Sequence, residues 1–306
     1  MLILIINQIL KMLLILILGY ACYRLKLIDQ AGNKSLANLL LMVVNPMVAI
    51  LSLQIDYQPE LVHGLLISYL LAAITHLIGI ALSQLLIRKS GNENYAIERF
   101  AAMYSNCGFM GIPLVQSILG NEGVFYLTAY MTVFNLFSWT HGIILMTGKA
   151  SPSDIKKGLL SPMIIASVLG LILFFARIRI PAVPADAMNY VGCMNTALAM
   201  LIAGISVAQT DLKKMIQNIR VYYITALKLL IMPAIVLLLL SVLPLQPDVA
   251  MTTLIAAACP VAATGTAFAL RFQKNYQYAS ELYSFTTLFS LVTIPIFVYA
   301  GELLFI

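Results

Sequence analysis

The sequence predicts an all-α integral membrane protein of ten transmembrane helices, and three observations predict it. The 306 residues are 61% hydrophobic and only 10% charged, with a mean hydropathy of +0.96. A soluble domain carries about 25% charged residues, so this chain cannot clothe itself in polar surface and lipid must serve as its solvent. Apolar runs fill its length, each near the roughly 20 residues that a helix needs to cross the hydrocarbon. Lysine and arginine, finally, crowd into every other connection between those runs.

The runs fall at 2–23, 34–54, 61–87, 97–119, 123–147, 159–177, 186–209, 220–243, 249–271 and 278–304. The first begins at Leu2 with no basic stretch ahead of it and no small-residue cleavage pattern after Ile17, so it reads as a retained helix and not a signal peptide. Turn residues mark connections at Gly91-Asn92, Gly120-Asn121, Gly148 to Pro152, Pro181 to Pro184 and Pro244 to Pro247. None of these has room for a soluble catalytic domain. One set of alternate connections holds Arg24, Lys26 and Lys34, then Arg88, Lys89 and Arg99, then Lys149, Lys156 and Lys157, then Lys213, Lys214 and Arg220, then Arg271 and Lys274. The other set holds only Arg177 and Arg179, while Lys11 and Lys228 fall inside helices. Basic loops stay cytoplasmic, so both termini are expected on the extracytoplasmic side of the cell membrane. The net charge of +6 is therefore a topological signal and not a nucleic-acid footprint.

Ten helices divide into 1–150 and 151–306, five in each half. A duplicated unit with an odd number of helices inserts in inverted topology. A shift of 152 residues matches Cys107 with Cys259, Tyr126 with Tyr278, and Leu136-Phe137-Ser138 with Leu288-Phe289-Ser290.

The fourth and ninth runs share an interruption. One reads Ser105-Asn106-Cys107-Gly108-Phe109-Met110-Gly111-Ile112-Pro113, the other Cys259-Pro260-Val261-Ala262-Ala263-Thr264-Gly265-Thr266. Proline removes a backbone donor and clashes with the preceding turn, and glycine lowers helix preference by about 1 kcal/mol. The freed backbone groups cannot face lipid, so they must be buried in protein or line a wet cavity. A pair of purely structural kinks is the bland alternative, but interruptions half a chain apart point to a transport site. Two half-helix N-termini would then meet near the midplane, each with roughly half a positive charge. With hydrogen bonds from Asn106, Thr264 and Thr266, such a site suits an anion, for instance a carboxylate. Asn45-Pro46 in the second run is a third candidate, and Asn195 near the corresponding stretch of the seventh reads as an interhelical hydrogen bond.

Two ionisable residues lie deep in helices. Lys228 is a candidate counter-charge for substrate, with snorkelling to an interface as the alternative. His76, again 152 residues away, is a candidate proton carrier, with an ordinary pKa near 6.5, or else a satisfied bundle residue. Lys11 and Asn7 give the first helix a polar face suited to a scaffold or dimer contact. The twelve acids lie in loops or near helix ends, with no pair at mid-membrane. Proton coupling or facilitated movement is thus preferred, and sodium-coupled symport of a larger organic anion is the alternative.

Other classes fare worse. The histidines His63, His76 and His141 lack the His-Glu-x-x-His spacing of a zinc protease, and no acid cluster or Gly-x-Ser motif offers another active site. Cys22, Cys107, Cys193 and Cys259 have neither metal nor disulfide spacing, so no cofactor or metal is expected. A channel is disfavoured by the internal duplication.

The stretch Asn106-Cys107-Gly108-Phe109-Met110-Gly111-Ile112-Pro113-Leu114 resembles the Asn-x-x-aromatic/aliphatic-x-Gly-Ile-Pro-Leu signature of the auxin efflux carrier family. That family includes plant auxin exporters and bacterial carriers assigned to malate or malonate. Pro46, Gly204 and the segment from Pro260 to Phe268 also fall where the family has similar features. The resemblance implies a fold shared with bile-acid/sodium symporters and sodium/proton antiporters, in which the fourth and ninth helices cross at their breaks. It implies a scaffold of helices 1, 2, 6 and 7, a mobile unit of 3–5 and 8–10 that moves like an elevator, and a homodimer through the scaffold. It assigns substrate contact to Asn106 and the crossover prolines to Pro113 and the position of Gly265. Plant members often have proline at the latter, so the break here must rely on glycine flexibility and Pro260. The long cytoplasmic loop of many plant exporters is missing, which argues against auxin itself as substrate.

Overall fold

A computed structural model describes residues 2–149 and 152–305. In chain order its helices are α1 (Leu2–Arg24), α2 (Gln30–Ser52), α3 (Pro59–Leu86), α4 (Tyr95–Met103), α5 (Ile112–Phe137), α6 (Ile143–Thr147), α7 (Pro152–Leu159), α8 (Pro162–Phe175), α9 (Ala182–Gln209), α10 (Leu212–Gln217), α11 (Ile219–Ser241), α12 (Pro247–Ala258), α13 (Ala263–Arg271) and α14 (Tyr276–Phe305). Among the described residues no strand forms, and one isolated antiparallel bridge joins Ser105 to Val261. Among the described residues six helices, α1, α2, α3, α9, α11 and α14, are long and apolar enough to cross a membrane by length and composition, and α8 and α12 are apolar but shorter.

Where boundaries differ from the sequence reading, caps explain the difference. The Asp29 carboxylate accepts a hydrogen bond from the Gly32 backbone N–H at 2.7 Å and starts α2 ahead of the expected residue 34. Asp211 likewise accepts from the backbone N–H groups of Lys213 and Lys214, creating α10 inside an expected loop. The turn foreseen at Gly120-Asn121 is present inside α5, where two helices meet at Gly120, whose φ of 64° is a backbone conformation open to glycine.

Packing sorts the helices into two groups. In the first, α1 lies along the Met194–Gln209 part of α9 and α2 packs on α8 and α9. The α1–α9 contact is backbone to backbone: a Cβ on Gly204 would collide with the Leu16 carbonyl oxygen, and one on Gly19 with that of Leu201. Small residues permit this approach where apolar solvent gives helices no hydrophobic reason to associate. In the second group α5 packs on α3 and α12, and α12 packs on α14 and α11. The outer surface is strongly apolar, with Leu14, Leu66, Leu238 and Val292 all exposed, as lipid contact requires.

Candidate functional site

The two interruptions meet. α4 ends at Met103 and the chain extends through Tyr104 to Asn106, while α12 ends at Ala258 and the chain extends from Cys259 to Ala262. The two stretches run antiparallel. The Asn106 backbone N–H donates to the Pro260 carbonyl at 2.8 Å, and that of Ala262 donates to the Tyr104 carbonyl at 3.0 Å. Val261 N–H donates to Thr286 Oγ1 at 3.2 Å. Each interruption thus supplies the partners that the other lacks, which is how non-helical backbone survives without water.

This geometry corrects one expectation. The paired hydrogen bonds set Tyr104 opposite Ala262 and Asn106 opposite Pro260, about Ser105 and Val261. Cys107 opens the π-helical turn Cys107–Gly111 that leads into α5, whereas Cys259 caps α12. Pro113 and Gly265 do not make the breaks. Pro113 is buried inside the helix that begins at Cys107, and the wider π-helical turn Cys107–Gly111 just ahead of it accommodates its missing N–H. Gly265 is helical within α13, and a Cβ there would stand 3.0 Å from the Phe100 ring. Its use is close packing, not flexibility.

Beside the crossing lies a cavity of about 110 Å³. Of the sequence-derived candidates, Asn45, Asn106, Cys107, Gly108 and Thr264 line it. Gly111, Pro113, Pro46, Pro260, Gly265 and Thr266 do not; the Thr266 hydroxyl donates to the Ala263 carbonyl at 2.7 Å. Sequence reasoning missed Ser161, Asn135 and Trp139, which also line the cavity. The one signal available was Trp139 itself, the single tryptophan of the chain.

Three polar atoms on this cavity have no hydrogen-bond partner: Asn106 Nδ2, Thr264 Oγ1 and Ser161 Oγ. Each such group costs about 1–3 kcal/mol. No carboxylate lines the cavity, and both the Cys107 turn and the start of α13 present backbone N–H ends to it. The Asn45 amide is held in place: Asn195 Nδ2 donates to its Oδ1 at 2.7 Å. The absent side chain of Gly108 leaves room for Asn45 Nδ2, which lies 3.1 Å from where a Cβ would be.

Lys228 and His76 lie outside the cavity. Lys228 is fully buried in α11; its ammonium donates to Ser105 Oγ and, at 3.3 Å, to the Ala257 carbonyl. It therefore meets the carbonyl end of α12, where the helix dipole is negative. His76 is buried in α3 with Nδ1 2.7 Å from the Ala72 carbonyl oxygen, which fixes the proton on that nitrogen, and its ring packs among Tyr104, Tyr130, Phe134 and Phe137. Larger hollows lie elsewhere among the described residues, one around Arg88, Glu98 and Arg220, one around Asp56, Arg177 and Arg179, and one between α2, α5 and α9. Among the described residues no group of three metal-ligating side chains forms.

Comparison with known proteins agrees with a carrier. The sequence model of a family described as membrane transport protein matches residues 4–298. An uncharacterized transporter of Methanothermobacter thermautotrophicus is 23% identical over 298 residues, covering 95% of this chain and 96% of that protein. The uncharacterized transporter YfdV of Escherichia coli K12 is 25% identical over 206 residues, 64% of this chain and 65% of its own length. YfdV of Shigella flexneri matches to the same extent. The chain belongs to the membrane transport protein family, the auxin efflux carrier family that its Asn106 to Leu114 motif resembles, and is a transporter and not an enzyme.

Proposed function

We propose that this protein carries small organic anions, carboxylates such as malate, malonate or auxin-like acids, across the cell membrane by alternating access. The observation that carries this reading is the convergence of three unpartnered polar atoms and two backbone N–H ends on one cavity without a carboxylate. A bound carboxylate accepts from several of these donors at once, and charge-assisted hydrogen bonds are the strong ones. At about 110 Å³ the cavity is well below the roughly 300–1,000 Å³ of drug-sized pockets, which favours an acid of a few carbons over a large amphipathic one.

In this reading the chain makes ten crossings as two inverted five-helix units: α4 with the part of α5 before Gly120 is the broken fourth helix, the rest of α5 with α6 is the fifth, and α12–α13 is the broken ninth. The first packing group acts as scaffold. The second carries the crossing past it, and the anion moves with the crossing. A proton is the preferred coupling ion, though His76 is far from ideally placed, since its free Nε2 does not line the cavity.

The test is counterflow in proteoliposomes with labelled malate, malonate and indole-3-acetate. Saturable counterflow of at least one of these acids is expected. Its absence for all three, alongside saturable movement of a neutral or cationic solute, sinks the proposal.

A further inference from the structure

The hollow of about 550 Å³ between α2, α5 and α9 is stacked on the smaller cavity along the same elements. Along α2 the small cavity is lined by Leu41, Met42 and Asn45, and the hollow by Val48, Leu51 and Ser52. Along the broken segment the small cavity takes Cys107 to Phe109, and the hollow takes Pro113, Gln116 and Ser117. Along α5 the order recurs, from Met131 and Phe134 on the one to Asn121 and Val124 on the other. α2 and the two parts of α5 on either side of Gly120, the first with the Cys107 turn that leads into it, thus describe one groove, interrupted at one level.

What interrupts it is an amide pair. Asn45 lines only the small cavity, Asn195 only the hollow, and the two are joined by the 2.7 Å hydrogen bond from Asn195 Nδ2 to Asn45 Oδ1. Both are at least nine-tenths buried, and Asn195 Oδ1 has no partner. A fixed apolar wall would need no amides. A polar pair with one acceptor free can be opened by a competing hydrogen-bonding solute at the cost of one bond. The hollow is lined by neutral amides and hydroxyls, among them Gln8, Gln116, Asn121 and Asn189, with one carboxylate, Asp186, and no lysine or arginine. Such a lining hydrates an anion and does not retain it.

We infer that the hollow is the second chamber of the substrate path, a release port for the anion, and that the Asn45–Asn195 pair is the partition between it and the binding cavity. This rests on the carrier reading for its substrate, but the partition itself is tested without one. Two native thiols mark the two sides: Cys193 is exposed on the hollow, and Cys107 is buried on the small cavity.

The experiment measures labelling by the impermeant methanethiosulfonate ethylsulfonate in sealed vesicles of known orientation, with mass spectrometry of the labelled peptides. In the unmodified protein Cys193 should react only from the face opposite the basic loops. In a Cys193→Ser background, Asn195→Ala should raise the labelling rate of Cys107 from that face by about tenfold, the worth of one hydrogen bond of about 1.4 kcal/mol. Asn195→Gln, which keeps a donating amide at the partition, should raise it less; both variants should elute as monodisperse protein in detergent. Reaction of Cys193 from the basic-loop face, or a Cys107 rate in Asn195→Ala within about twofold of its parent, overturns the partition. Because the labelling needs no substrate, failure of counterflow with intact partition behaviour would count against the anion reading alone.

Discussion

Asn106→Ala separates binding from folding at the crossing. The crossing itself uses the backbone N–H of Asn106, bonded to the Pro260 carbonyl at 2.8 Å, and alanine keeps that bond. What alanine removes is the side-chain amide, whose Nδ2 is buried and has no partner. For the empty protein this deletion removes an unsatisfied donor that costs about 1–3 kcal/mol and loses a few van der Waals contacts. The melting temperature should therefore hold or rise slightly. For the anion-bound protein it removes a hydrogen bond to a charged group, worth about 1.5–3 kcal/mol, or roughly ten- to hundredfold in dissociation constant. Trp139 lines the same cavity and is the only tryptophan, so its fluorescence reports occupancy without a label. Titration with malonate, checked by counterflow, should show the weakened binding. Asn106→Asp should bind more weakly still, because it sets a carboxylate against a carboxylate. An alanine variant that binds malonate within about twofold of wild type would refute the assignment of Asn106 as an anion donor.

Other substitutions probe the surroundings. Gly204→Ala forces α1 from α9 at a backbone contact and should cost more than the about 1–3 kcal/mol of ordinary overpacking, read as a lowered melting temperature in detergent; an unchanged melt would show that the two helices do not pack as described. Gly108→Ala leaves a Cβ 3.1 Å from Asn45 Nδ2, so the amide must shift by a few tenths of an ångström; malonate affinity should fall by about threefold with the melt unaffected, and a fall in melting temperature alone would assign Gly108 to packing. Lys228→Met removes a buried ammonium held by Ser105, a cavity-lining residue, and should weaken malonate binding by about fivefold, while Lys228→Arg should weaken it less; equal and negligible effects would leave Lys228 with no part in anion binding.

The membrane character, the interruptions and the Asn106 motif were legible in the sequence because composition, proline and glycine report directly on backbone and solvent. The register of the crossing was not. Hydrogen bonds between Tyr104 and Ala262, or Asn106 and Pro260, are made by backbone atoms, which every residue carries, so no side chain announces them. Ser161 was invisible for another reason: it precedes α8 at a helix start, where a serine ordinarily reads as a cap, yet its hydroxyl makes no capping bond and faces the cavity instead. Asn195 was legible as an interhelical hydrogen bond, which it makes to Asn45 Oδ1, but not its place between two cavities.

The placement of Lys228 follows from how a break divides a helix. Interrupting a helix creates two ends of opposite polarity, each with roughly half a charge. The positive ends, at the Cys107 turn and α13, line the cavity; the negative end of α12 points away and is met by the Lys228 ammonium through the Ala257 carbonyl. If that ammonium stood in the cavity, a full cation in a low-dielectric site would hold a carboxylate by several kcal/mol more. A site in a transport path must bind well enough to be entered and weakly enough to be left. Two partial charges and a few neutral donors meet both demands. Lys228, one hydroxyl removed at Ser105, offsets the carbonyl end so that it does not cancel them. In the anion reading proposed above, the Lys228 cation on the far side of the crossing would support the field at the cavity without becoming a ligand that the anion must leave.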